Sequence, residues 1–249
     1  MRIDMHAHLR RDPKSKRYLV EQQLDDMEKN GIDKRVISTF YGSTLEEANQ
    51  SVLRLCETYP DRLIPCAAIN PREDQALAMT QRLLQKGVRI IEMDSLECGF
   101  LPEKLEDSIN AILEECAKED VVVKLYAGST HRAAPDQWIK YFRKFPSLPF
   151  MILHMGAGDY QYGTIELCKE YENLLLETSL ASEAPALKKA LQSIDPSRLF
   201  FGSGFPDYFT ELELLKFDCY GLTETIKRQI FGDNAKRLLE KERGGTCLL

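Results

Sequence analysis

The chain begins with two closely spaced histidines, in the segment Asp4-Met-His-Ala-His8. Side chains at positions i, i+2 and i+4 of a β-strand point to the same face, so Asp4, His6 and His8 would lie together. Two imidazoles at this spacing can bind one divalent metal ion from a rigid strand. The pair is equally compatible with coincidence or with buried, hydrogen-bonded histidines, so the rest of the chain must decide.

The composition is that of a globular protein of single-domain size. The 249 residues fit one (β/α)₈ barrel, and we predict a single domain over residues 1–249. A net charge of −6 gives no basic field for nucleic acid or for an anionic membrane, and no apolar run has the length of a membrane span. The seven cysteines are scattered, with no Cys-x-x-Cys pair. This pattern indicates reduced thiols, so we predict a cytoplasmic protein.

Apolar, strand-like runs alternate with helix-like segments along the chain. The predicted strands are 3–8, 35–40, 63–70, 88–93, 121–126, 150–154, 174–178 and 199–202. The predicted helices are 18–30, 45–59, 75–86, 105–119, 134–145, 162–171, 184–193 and 223–240. Strongly apolar strands such as Phe150-Met-Ile-Leu153 are typical of a parallel sheet buried on both faces. The regular alternation favours a single (β/α)₈ TIM barrel over an open sheet.

Polar residues at the carboxyl ends of the strands are the candidate site residues, because active sites of such barrels form there. Strand four places Glu92 and Asp94 on one face, strand five places Lys124 and Tyr126 on one face, and strand six ends at His154. Glu92 and Lys124 lie on adjacent strands, so a buried ion pair is an alternative to a catalytic role. Similarly, Tyr126 could be a pocket wall and His154 a structural histidine.

Four segments together resemble the amidohydrolase-related family, within the metal-dependent amidohydrolase superfamily of TIM barrels. They are residues 4–8, 144–156, 195–203 and 230–238, and the resemblance extends over nearly the whole chain. It implies that His6 and His8 bind a divalent ion, commonly zinc. It also implies that His154 positions or deprotonates a water molecule, or stabilises charge on the substrate.

The resemblance implies hydrolysis of a small polar metabolite. Metal lowers the pKa of water towards ~7, and the hydroxide so formed can attack an amide, ester or lactone carbonyl. Glu92 stands where several superfamily members place a metal ligand, so we expect it to be a third ligand. We expect Lys124, Tyr126 and His131, the last in the loop after strand five, to bind the substrate.

Two departures from the family pattern bear on activity. The chain has Tyr126-Ala-Gly128 where the family usually ends strand five with a histidine, and Gly204 where it usually has an aspartate that binds metal and relays a proton. Asp207 follows three residues later, and a turn at Pro206 could return it to the site, so we predict a catalytic role for Asp207. With one ligand missing, we expect weak metal binding.

The missing aspartate keeps other interpretations open. One is a metal-free lactonase or decarboxylase of the same family, and another is a catalytically silent barrel that binds a ligand or a partner. A homo-oligomer is compatible with each of these interpretations. If the carboxylate alone is missing, Gly204→Asp should strengthen metal binding and raise hydrolysis of generic esters or lactones. A positive φ at Gly204 would add strain and mask that gain.

Overall fold

The computed structural model describes residues 1–180 and 184–240, which form two compact units. The first unit contains residues 1–65, 177–180 and 195–240, and the second contains residues 66–176 and 184–194. Cys247 lies outside the described residues, and within them the other six cysteines form no disulfide bond. Among the described residues, no helix has the length and apolar character required to cross a membrane.

Strands and helices alternate along the chain, as the sequence predicts. The strands are β1 (Ile3–His8), β2 (Lys34–Ser38), β3 (Leu63–Pro65), β4 (Ala67–Ala68), β5 (Ile90–Asp94), β6 (Val122–Tyr126), β7 (Phe150–Leu153), β8 (Leu174–Glu177) and β9 (Leu199–Phe200). The helices are α1 (Val20–Asn30), α2 (Leu45–Thr58), α3 (Ala76–Gln85), α4 (Glu106–Lys118), α5 (Ile139–Lys144), α6 (Gln161–Glu170), α7 (Ala184–Ser193), α8 (Thr210–Leu215), α9 (Glu224–Arg228) and α10 (Asn234–Leu239).

The first unit is organised around β1. This strand pairs in parallel with β2, which pairs in turn with β3. On its other side, β1 bonds the segment that continues from β9, because the Met5 amide donates to the Phe201 carbonyl (2.9 Å) and the His8 amide donates to the Phe205 carbonyl (2.8 Å). The Thr178 amide, just beyond β8, donates to the Phe200 carbonyl (3.0 Å). The histidine-bearing strand is therefore hydrogen-bonded along both edges.

The second unit is a parallel sheet in the order β4-β5-β6-β7-β8. Its strands are almost entirely buried, in agreement with the continuous apolar sequence of β7 and the mainly apolar residues of β5 and β6. The register places Glu92 opposite Lys124 and Asp94 opposite Tyr126. The predicted face-sharing of these residues on β5 and β6 is therefore present in the sheet.

Three elements differ from the sequence predictions. The predicted strand 63–70 is two strands, β3 and β4, that flank Cys66; Pro65 has no amide hydrogen to continue the ladder. The predicted final helix 223–240 is α9 and α10 joined by a π-helical turn, Gln229–Asp233. Helix α8 was not predicted, and its six residues lie in the connection between β9 and α9.

Candidate functional site

Strand β1 presents two imidazoles at its carboxyl end. His6 is buried and His8 is partly exposed. Their ring centroids are 4.7 Å apart with the ring planes nearly perpendicular, and a nitrogen of one ring lies within 4.8 Å of a nitrogen of the other. The Gly204 amide donates to the His6 carbonyl (2.8 Å), so the segment after β9 fixes the end of the strand. The paired arrangement predicted from the His-x-His spacing is thus present.

Asp4 shares this face of β1 but its carboxylate is engaged by neighbouring residues. Its Oδ2 accepts hydrogen bonds from Arg35 Nε (2.7 Å) and Ser203 Oγ (2.6 Å), and its Oδ1 accepts one from the Ser203 amide (2.9 Å). Arg35 and Asp4 are both fully buried. The Asp4 carboxylate balances the buried charge of Arg35. Through Arg35 and Ser203 it links β1 to β2 and to the segment after β9. Asp4 therefore positions the histidines.

Asp207 returns to the histidine pair. The turn is closed by the Asp207 amide, which donates to the Gly204 carbonyl (3.0 Å), and one carboxylate oxygen then lies 4.0 Å from His8 Nδ1. The same oxygen accepts a hydrogen bond from Arg10. The His8 imidazole and the Arg10 guanidinium hold the pKa of Asp207 below its usual range, against the opposing effect of partial burial. The carboxylate is thus ionised at neutral pH.

Gly204 cannot take a side chain without strain. Its φ is +61°, a left-handed value that glycine adopts easily. A Cβ built there would lie 2.5 Å from Cδ2 of Tyr208. The Tyr208 ring therefore borders the position from which the family aspartate would project.

Glu177 is a candidate site residue that was not predicted from the sequence. It closes β8 with a fully buried carboxylate that accepts hydrogen bonds from the Ser179 amide (2.5 Å) and Ser179 Oγ (2.9 Å). A carboxylate oxygen of Glu177 lies within 4.8 Å of a His6 ring nitrogen. The rule that selected Glu92 at the end of its strand selects Glu177 equally well, so the signal was present in the sequence.

The first unit thus offers a donor set that fits a divalent transition metal. Two imidazole nitrogens and a carboxylate oxygen are ligands that zinc and manganese accept. The Glu177 oxygen and a His8 nitrogen each lie within 4.8 Å of a His6 nitrogen, and two ligands of one zinc ion with bonds of ~2.0–2.2 Å are at most about 4.4 Å apart. Small side-chain adjustments would therefore bring His6 and Glu177, or His6 and His8, to bonding distance of one ion.

In the second unit, Glu92 and Lys124 form an ion pair. Lys124 Nζ lies 3.0 Å from Glu92 Oε2, and both side chains are fully buried. The Cys66 thiol approaches the same oxygen at 3.9 Å. The buried ion pair that the sequence left open is therefore present, and the predicted roles of Glu92 in metal binding and Lys124 in substrate binding stay predictions.

His154 and Tyr126 are neighbours at the ends of β7 and β6. Their ring centroids are 5.5 Å apart, and the Tyr126 hydroxyl shares a hydrogen bond with Ser129 Oγ (2.9 Å). Burial raises the pKa of Tyr126, so its phenol stays protonated at neutral pH. The buried His154 has φ +57° and Met155 has φ +52°. Consecutive left-handed residues of this kind cost of order 1–3 kcal/mol each and occur most often at functional sites.

His131 differs from His154 and Tyr126 in its loop position and its exposure to solvent. It is exposed and begins a 3₁₀ turn, His131–Ala133, in the loop after β6. Its carbonyl oxygen accepts a hydrogen bond from Gln137 Nε2. The loop position agrees with the sequence analysis, and the substrate-binding role of the imidazole stays a prediction.

Two kinds of comparison relate the chain to known proteins. The family model described as "Amidohydrolase" matches residues 3–241. An uncharacterized TIM-barrel protein from Bordetella bronchiseptica has a similar structure, with a TM-score of 0.78, 18% sequence identity, and coverage of 96% of this chain and 98% of that chain. A search of curated proteins found no significant match.

Two similar structures belong to decarboxylases. The 2,6-dihydroxybenzoate decarboxylase from Rhizobium has a TM-score of 0.74 at 16% identity, covering 95% of this chain and 98% of that chain. The 5-carboxyvanillate decarboxylase from Novosphingobium aromaticivorans, complexed with manganese and 4-hydroxy-3-methoxy-5-nitrobenzoic acid, has a TM-score of 0.71 at 17% identity, covering 96% and 95%. At such identities these likenesses show the fold, whereas the family model spans nearly the whole sequence. The chain therefore belongs to the amidohydrolase family and has the TIM-barrel fold.

Proposed function

We propose that the protein is a metal-dependent hydrolase that acts on the amide, ester or lactone carbonyl of a small polar metabolite in the cytoplasm. The observation that carries this proposal is the cluster at the end of β1, where His6 and His8 adjoin each other and Asp207 faces His8 at 4.0 Å. Imidazole pairs with a nearby carboxylate are typical of hydrolytic metal centres. Family membership supports the same chemistry.

Each residue has a distinct part in the proposed reaction. His6 and His8 hold a divalent ion, zinc or manganese, which supplies Lewis acidity for a carbonyl oxygen when bound. Asp207 accepts and returns a proton, because it is ionised and reaches the cluster from a half-exposed position. Its contact with Arg10 fixes the orientation of the carboxylate.

The resemblance to the family adds proposed roles in the second unit. We propose His154 as a further acid–base or charge-stabilising group, Glu92 as a metal ligand, and Lys124, Tyr126 and His131 as substrate contacts. The strained backbone at His154 and the protonated Tyr126 phenol beside it support a functional role for this pair.

A decarboxylase is the second candidate, favoured by the structural similarity to two decarboxylases. Such an enzyme would use the same histidine pair but would release carbon dioxide from an aromatic carboxylate. The two candidates differ in product, so one set of assays separates them.

The test starts with protein purified without chelators. Elemental analysis should find zinc or manganese in the wild type and much less in His6→Ala, and hydrolysis of a panel of esters and lactones should depend on that metal. Carbon dioxide release from hydroxybenzoates, without hydrolysis, would favour the decarboxylase. Equal metal content in both proteins would show that His6 and His8 are not the ligands. Metal-independent turnover or none would favour the metal-free and silent alternatives.

A further inference from the structure

The Glu177 carboxylate is held in a defined direction by Ser179. An ionised carboxylate has about four lone-pair sites. Ser179 uses two of them through its amide and its hydroxyl group, with one bond to each carboxylate oxygen. Both bonds come from a residue two positions later in the chain, so they fix the direction of the carboxylate.

Gly202 provides the space that the Glu177 carboxylate occupies. A Cβ built on Gly202 would lie only 2.6 Å from Cδ of Glu177 and closer still to Oε1. Real Cβ atoms essentially never approach a neighbour so closely, and Glu177 is fully buried with little freedom to withdraw. Gly202 does not have a positive φ, so its backbone conformation does not itself require glycine. Close approach of the carboxylate is therefore the reason for glycine at this position.

We propose that Glu177 is a further protein ligand of the ion held by His6 and His8, in addition to the ligands proposed above, and that it replaces the carboxylate that Gly204 lacks. This inference rests on the proposed function. The carboxylate comes from the end of β8 instead of from the segment after β9, and lies within 4.8 Å of His6. Gly202 is then a positioning residue, because it lets Glu177 take up the ligating position. The site takes a divalent cation of the zinc or manganese type, bound by two nitrogens and one oxygen.

The assignment removes a difficulty raised by the sequence. Counting only the usual positions, the site is one ligand short and should bind metal weakly. With Glu177 included, the first unit supplies the three protein ligands of an open catalytic site, with further positions left for water or substrate. We therefore expect tighter binding than the family motif alone implies.

The experiment is calorimetric titration of metal-free protein with zinc and with manganese. Glu177→Gln should lower the affinity at least about tenfold, since loss even of residues that only support metal ligands typically costs 10–100-fold. Gly202→Ala should lower it in the same direction without changing any ligand, because the added methyl group displaces the carboxylate. Without metal, both variants should show the circular dichroism of the folded wild type.

Matched controls separate metal binding from stability. Glu213→Gln removes another buried carboxylate of the first unit, one that likewise accepts a backbone amide, that of Leu180 (3.2 Å). Gly163→Ala adds a methyl group where nothing lies within 4 Å. Both controls should bind metal as the wild type does. The absorption spectrum of the cobalt(II) form should also change in Glu177→Asp, because the d–d bands report the ligand set and not the fold.

The outcomes are distinct. If the wild type binds metal and Glu177→Gln binds it equally well, the Glu177 assignment is overturned while the proposed metal site at His6 and His8 stands. If the wild type binds no metal, both fail. If Glu177→Gln does not fold, Gly202→Ala and the cobalt spectrum of Glu177→Asp decide. An unchanged affinity in the first and an unchanged spectrum in the second would overturn the assignment.

Discussion

The Asp207 carboxylate faces Nδ1 of His8 at 4.0 Å, from the last connection of the chain to its first strand. Arg10 bonds the same carboxylate oxygen, and 197 residues separate Arg10 from Asp207 in sequence. The family aspartate at position 204 is absent, but a negative charge still reaches the histidine cluster. The turn that brings the Asp207 carboxylate to the histidines is closed by the hydrogen bond from the Asp207 amide to the Gly204 carbonyl.

Asp207→Ala should reduce the metal-dependent turnover by roughly 10²–10⁴-fold, the range typical of a lost acid–base group. Because Asp207 is half-exposed, we expect thermal stability to change little. Steady-state kinetics on an active ester or lactone would measure the effect. The control is Asp218→Ala, which removes an exposed carboxylate paired with Lys227. If the turnover of Asp207→Ala lies within twofold of wild type, Asp207 has no acid–base role and serves only to pair with Arg10.

Gly204→Asp should destabilise the protein and fail to improve metal binding. The sequence alone predicted a gain unless φ is positive, and φ is +61° with Tyr208 beside the new Cβ. A left-handed non-glycine residue and the collision together should cost about 1–3 kcal/mol in the free energy of unfolding. Urea denaturation measures this cost. In a Tyr208→Ala background the penalty should shrink, and a penalty that is unchanged there would show that the ring is not the obstacle.

Lys124→Met should lower the free energy of unfolding by about 3–5 kcal/mol, because it leaves the buried Glu92 carboxylate without its cation. The double variant Lys124→Met/Glu92→Leu should recover much of that loss, since no buried charge is then uncompensated. Denaturant unfolding of the two single variants and the double variant gives the coupling energy. Additive losses would mean that the two residues stabilise the sheet independently.

Cys98 should resist alkylation although it is only partly buried. Desolvation, followed by the negative charges of Asp94 and Glu97, raises its pKa to about 12. At pH 8, on the order of one molecule in ten thousand then carries the reactive thiolate. Peptide mapping after iodoacetamide treatment should show fast modification of the exposed Cys219 and slow modification of Cys98. In protein unfolded by guanidinium chloride, Cys98 and Cys219 should be modified at similar rates. Equal modification rates of the two cysteines in the native protein would contradict the raised pKa of Cys98.

Residue spacing was enough to predict the alternation of strands and helices and the pairing of His6 with His8, because both follow from local periodicity. The face-sharing of Glu92 with Lys124 followed from the same rule. The structure also shows the buried ion pair that had been weighed against function.

Other features depend on contacts between distant parts of the chain. Only the structure shows that Asp4 is bound by Arg35 and Ser203, and that Tyr208 borders Gly204. Helix α8 was missed because it is a six-residue segment, too short for a periodic apolar pattern. Glu177 was missed for another reason. Polar residues at the carboxyl ends of strands were taken as candidates, but the end of the predicted strand 174–178 was not included among them.

The position of β1 has a consequence for biosynthesis. One of its edges bonds β2, close in sequence, but the other bonds residues 201–205. On the ribosome, at about 5–20 residues per second, the first strand waits roughly 10–40 s for that second neighbour to be made. Throughout that interval it presents an open strand edge to other nascent chains, which is a risk of aggregation. A fragment that ends before residue 200 would keep this edge permanently, and we expect it to depend on chaperones for solubility.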